Sequence, residues 1–145
     1  MNFQILISVL IISFGALSCK TTKKTFDPKV EKYISFGNGG GFTGKVKQYY
    51  IKPDGHVFQK ADTGYVYLTK LKKNKADQIF ANYTTLSLDK KILNNPGNMY
   101  YFIEHNKMDE YGPQKLTWGA KDLDDKNIET YYQILINSIK DNTNK

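Results

Sequence analysis

Few groups in this chain are able to do chemistry, and their spacing limits what they can do. Its one thiol is Cys19, its two imidazoles are His56 and His105, and of its 14 acidic residues those close together in sequence are Asp109-Glu110 and Asp122, Asp124 and Asp125. No serine sits in a nucleophile elbow, so covalent catalysis through a serine has no candidate. His105 follows Glu104, but neighbouring side chains on a strand point to opposite faces and cannot readily converge on one metal ion. The carboxylate clusters are accounted for by solvated loops and by helix capping. No catalytic residue, metal ligand or cofactor is assigned.

The remaining local signal is glycine-rich. Gly39 to Lys45 matches most of a phosphate-binding loop, a glycine and four residues before Gly44-Lys45. Val46 then stands where a serine or threonine would hold magnesium, and no helix follows to turn its N-terminal amides toward phosphate. The stretch Gly37, Asn38, Gly39, Gly40, Gly41, Phe42, Thr43 and Gly44 is read instead as a loop and as the candidate contact surface for a partner.

Cys19 has a different assignment. It ends an uncharged apolar run from Ile5 to Leu17, 13 residues long, which is shorter than the roughly 20 needed to span a bilayer as a helix. The segment Ala16-Leu17-Ser18-Cys19 resembles a lipobox, at which the cysteine is acylated and becomes the mature N-terminus. Residues 1–18 are therefore expected to be a signal peptide. Acylation also gives a role to a lone cysteine that has no partner for a disulfide. Lys20 follows where an inner-membrane retention signal would place aspartate, which favours the outer membrane. Residues 19–28, rich in lysine and threonine, read as a lipidated tether.

Removing residues 1–18 of the 145 leaves 127, enough for one domain with its own core. That domain is placed at 29–141, with a polar tail at 142–145. The formal net charge is +7, and all 21 basic residues are lysines. Base and phosphate recognition favours the guanidinium fork of arginine, so nucleic acid is not an expected partner. Anionic lipid or glycan is the more natural neighbour of an exported, anchored protein.

The elements that must position these residues follow from periodicity. Val30–Phe36 reads as a first strand, broken by Gly37–Gly41. Thr43–Lys52 and the residues after Pro53-Asp54-Gly55 form a hairpin, and Gly64–Leu71 adds a third meander strand. A helix follows with Asn74 as cap and Ala76, Ile79, Phe80 and Tyr83 on one face. Met99–His105 and Lys115–Ala120 pair as strands, with Trp118 directed to the core. Asp124 or Asp125 caps a last helix, striped by Ile128, Tyr131, Tyr132, Leu135, Ile136 and Ile139. The expected fold is α+β, an antiparallel sheet of five or six strands with both helices on one face. The opposite face, with its tyrosines, is expected to be partly open.

The pattern Ile34-Ser35-Phe36-Gly37-Asn38-Gly39-Gly40-Gly41-Phe42-Thr43-Gly44, then Asp54-Gly55, Asn94-Asn95-Pro96-Gly97-Asn98, Tyr101-Phe102 and Trp118-Gly119, resembles a group of small Bacteroidota lipoproteins. The resemblance implies an exported single-domain protein and brings no activity or catalytic residue with it. The function expected is a non-catalytic, lipid-anchored module of the cell envelope, attached to a membrane through Cys19 and binding a protein or glycan. The alternatives are an inhibitor or immunity-type protein acting on an exported enzyme, and an envelope-polymer hydrolase using Asp109, Glu110 and Asp122.

Overall fold

The computed structural model describes residues 24–119 and 123–143. Cys19, the signal segment and Asp122 lie outside the described residues. Seven strands form one sheet: β1 Tyr33–Gly40, β2 Lys47–Ile51, β3 His56–Ala61, β4 Gly64–Lys70, β5 Asn94–Asn95, β6 Met99–Asn106 and β7 Gln114–Gly119. Helix α1 spans Lys73–Thr85 and α2 spans Lys126–Thr143. The strand order is β4-β3-β2-β1-β6-β7-β5, so β1 is the middle strand.

The α+β class expected from periodicity is present, with differences of detail. The sheet has seven strands and is mixed, because β5 pairs parallel to β7 through Asn94 opposite Thr117. A two-residue strand carries no periodicity and is invisible in sequence. The first strand does not stop at Phe36. Gly37, Asn38, Gly39 and Gly40 continue it, laddered to β6 as far as Met99 and, through Gly37 and Asn38, to β2. Helix α1 begins at Lys73 after Lys72, with no side-chain cap, so Asn74 lies inside its first turn. Asp125 does cap α2: its Oδ1 accepts from the amides of Asn127 at 3.0 Å and Ile128 at 3.2 Å.

One face of the sheet holds the main core. Ile34 and Phe36 of β1, Ile51, Val57, Ile103, Leu116 and Trp118 pack with Ile79 and Tyr83 of α1 and Ile128, Tyr131 and Leu135 of α2. Each large apolar side chain removed from water contributes about 1.5–3 kcal/mol. Two buried hydroxyls tie α2 to α1 and to the sheet. Tyr131 donates to the Ile79 carbonyl at 2.9 Å, and Tyr132 donates to the Gly37 carbonyl at 3.2 Å.

The opposite face, expected to be partly open, buries part of its aromatic surface and leaves Tyr65, Tyr67 and Tyr100 partly exposed. Tyr33, Tyr50 and Phe58 form a second buried cluster with Tyr65 and Tyr67 against it, and Phe26 closes it. Phe26 belongs to the segment expected to be tether, yet its residue is only 8% exposed. Its ring lies 5.0 Å from Tyr50, 5.2 Å from Phe58 and 5.0 Å from Tyr65, centroid to centroid. A polar, lysine-rich composition hid this aromatic, because one buried ring sets no period. The folded unit therefore includes Phe26, and α2 continues past the expected domain limit to Thr143.

Candidate functional site

Two regions combine exposure with built geometry. The first is the turn between β1 and β2. Of the expected contact loop, Gly37 to Gly40 are strand, and only Gly41, Phe42, Thr43 and Gly44 belong to the turn. The Gly41 amide donates to the Asn98 carbonyl at 2.8 Å, and the Gly44 amide donates to the Gly41 carbonyl at 3.1 Å, so the turn is fixed at its base. Two of its glycines have separate causes. At Gly37 the chains run so close that a Cβ would fall 1.9 Å from the Lys47 carbonyl oxygen, whereas Gly44 adopts φ +60° in open space. Phe42 is fully exposed, with Val46 and Met99 about half exposed. Lys45 and Lys47 stand beside them.

The second region lies between the turn at residues 88–92 and the β6–β7 hairpin. His105 stands opposite Ile34 across the β1–β6 ladder and so faces the helices. Its ring packs 4.5 Å from Tyr83 and 5.8 Å from Phe80. Glu104 faces the other way and accepts a 2.7 Å hydrogen bond from Tyr33. The two residues are thus separated by the sheet, as strand alternation requires. Gln114 organises the cleft. Its Nε2 donates to the carbonyls of Leu88 at 3.0 Å and Lys91 at 2.9 Å, while its Oε1 accepts from Tyr83 at 2.9 Å.

The resulting cleft has a volume of 510 Å³ and is walled by Lys90, Lys91, Lys107 and Lys115 against Asp89 and Asp109. Lys91 is paired to Asp125, whose carboxyl that contact holds below the usual range. Ile92 and Tyr111 stand exposed among its lining residues. Among the described residues, the buried side-chain polar atoms without a hydrogen-bond partner are Asp89 Oδ1 and His105 Nδ1, and both residues line this cleft.

Burial pushes the His105 pKa from 6.5 down to about 4, assisted by Lys107 and opposed by Asp109 and Asp89. The unfolded chain therefore binds more protons than the folded one between those values. Stability should be full above pH 6.5 and fall as the pH drops toward about 4. Urea midpoints across that range should show the slope, and His105→Gln should flatten it. A slope unchanged in the variant would assign it to other groups.

The other candidate carboxylates do not form a reaction centre in the described residues. Asp109 Oδ1 accepts from the Tyr111 amide at 3.2 Å, Asp125 caps α2, and Glu110 and Asp124 are exposed. His56 pairs through Nδ1 with Asp54 at 3.0 Å in the β2–β3 turn. No family model matches the chain, and no curated protein is significantly similar to it. The cleft escaped sequence reading because residues 89–92 and 105–115 are joined only by the fold. His105 itself was the available signal, a histidine on a strand otherwise apolar on its buried side.

Proposed function

We propose that this protein is a non-catalytic interaction module of the cell envelope. In this reading acylated Cys19 attaches it to a membrane, consistent with its resemblance to Bacteroidota lipoproteins, and the 41–46 turn contacts a protein or glycan partner. The observation that carries the proposal is Phe42, a wholly exposed benzyl side chain on a turn anchored by backbone hydrogen bonds. With Val46 and Met99 beside it, the residue forms an apolar tip rimmed by lysines, the composition of a contact patch. A fixed turn loses little conformational entropy on binding. Among the described residues no helix is long and apolar enough to cross a membrane, so in this reading attachment falls to the lipid.

Phe42→Ser tests the contact. The variant should keep the wild-type urea midpoint to within about 0.5 kcal/mol, because its side chain packs on nothing. Crosslinking in intact cells should then lose the partner recovered with the wild-type protein. Recovery of the same partner at the same yield would show that the turn is not the contact. Incorporation of labelled fatty acid, abolished by Cys19→Ala, tests the anchor separately.

A further inference from the structure

Two hollows meet beside the contact turn. One, of 350 Å³, lies between α2 and the sheet, with Tyr49, Leu68, Ile136 and Ile139 among its walls. The other, of 510 Å³, lies at the turn itself, between Phe42, Lys45, Val46 and Met99. Asn38, Lys47 and Gln59 line both, so the two form one open groove. Asn38 and Gln59 are only half-buried, and among the described residues neither side chain makes a hydrogen bond. Each amide therefore offers two donors and an acceptor to an occupant of the groove. Half-buried Leu68 and Ile136 offer an aliphatic wall.

This combination narrows the occupant. An acyl chain would cover the amides of Asn38 and Gln59 and leave them unpaired. A glycan would lay hydroxyls against Leu68 and Ile136, which cannot pair them. An extended polypeptide carries both complements, backbone N–H and C=O groups for the amides and an apolar side chain for the wall. Lys45 and Lys47 set its charge. Among the described residues neither has a carboxylate within salt-bridge distance, and no acidic side chain lines either hollow. Charge complementarity then calls for carboxylates beside the apolar residue. We propose that the groove binds an extended, acidic segment of a partner protein. Its backbone bonds to Asn38 and Gln59, one apolar side chain lies against Leu68 and Ile136, and its carboxylates face Lys45 and Lys47. This rests on the reading of the 41–46 turn as the contact, and it selects protein over glycan as the partner.

Fluorescence anisotropy tests the assignment, using the full-length chain in phosphatidylcholine nanodiscs and the labelled peptide Glu-Asp-Glu-Leu-Asp-Glu, capped at both ends. The peptide should bind with a dissociation constant of about 100 μM or below. Serine in place of its leucine, or glutamine and asparagine in place of its acids, should each weaken binding about tenfold or more. Lys45→Ala with Lys47→Ala should weaken it by about as much. Gln59→Leu gives the deciding sign. Loss of an amide weakens a bound backbone, whereas a larger apolar wall tightens an acyl chain. No binding at about 1 mM peptide, tighter binding by Gln59→Leu, equal binding of the serine or amide peptide, or displacement by equimolar dodecanoate or galactose trisaccharide would each overturn the proposal. Crosslinking in intact cells separates it from the contact turn. Lys45→Ala with Lys47→Ala should lose the partner that Phe42→Ser loses. Retention of that partner at wild-type yield by the lysine variant alone would overturn the groove assignment and leave the turn as the contact.

Discussion

Gly37→Ala should cost at least about 3 kcal/mol of folding stability, far more than alanine at any glycine of the exposed turn. The position is in the middle strand of the sheet, and the added Cβ would stand 1.9 Å from the Lys47 carbonyl oxygen. The obstacle is backbone, with no side chain free to rotate away. Relief requires β1 and β2 to separate, which disturbs the Gly37–Gln48 pairing and the Tyr132 hydrogen bond to the Gly37 carbonyl. Gly44→Ala is the comparison. There φ is +60° but nothing lies within 4 Å, so only the left-handed backbone cost of about 1–2 kcal/mol applies. Urea denaturation of both variants measures the difference. Equal midpoints would mean that the two strands do not approach as closely as described.

Phe26→Ala should cost about 2–4 kcal/mol, although Phe26 precedes every described strand and helix. Its ring lies 5.0–5.8 Å from Tyr33, Tyr50, Phe58 and Tyr65, and its removal opens that cluster to water. Tyrosine burial gives a second readout. Burial holds the hydroxyls of Tyr33 and Tyr50 well above the ordinary tyrosine range, so spectrophotometric titration of the variant should show tyrosines ionising at lower pH. A variant with wild-type stability and an unchanged titration would return residues 24–28 to the role of solvated linker.

The two residues mark where sequence reading stopped. Local signals were enough for the β2–β4 meander, because Pro53-Asp54-Gly55 makes its turn with Gly55 donating to the Lys52 carbonyl at 2.9 Å. They were enough for α2, whose apolar stripe and Asp125 cap are both local. Glycine propensity argued for a loop at residues 37–40, but the β6 ladder along all four, joined by β2 at Gly37 and Asn38, supplies the hydrogen bonds that propensity cannot see. Trp118 was legible as core, and it is buried. Of the expected contact loop, half of the residues are structural, and the exposed tip reduces to Phe42 and its neighbours. The His105 cleft needed the third dimension, since its orphan atoms come from residues 16 positions apart.

The docking of Phe26 also sets a length. Six residues, Lys20 to Thr25, separate Cys19 from Phe26, a span of no more than about 25 Å between their Cα atoms when fully extended. With Cys19 acylated as proposed, the molecule is moored on a short line made fast near the Tyr33 end of β1. The Phe42 turn lies past the other end, some eight strand residues or about 26 Å further on. The middle strand then acts as a spar, fastened at its foot and carrying the contact at its tip. A partner must lie within the arc that this spar can sweep, and lengthening the line would enlarge that arc without altering a single contact.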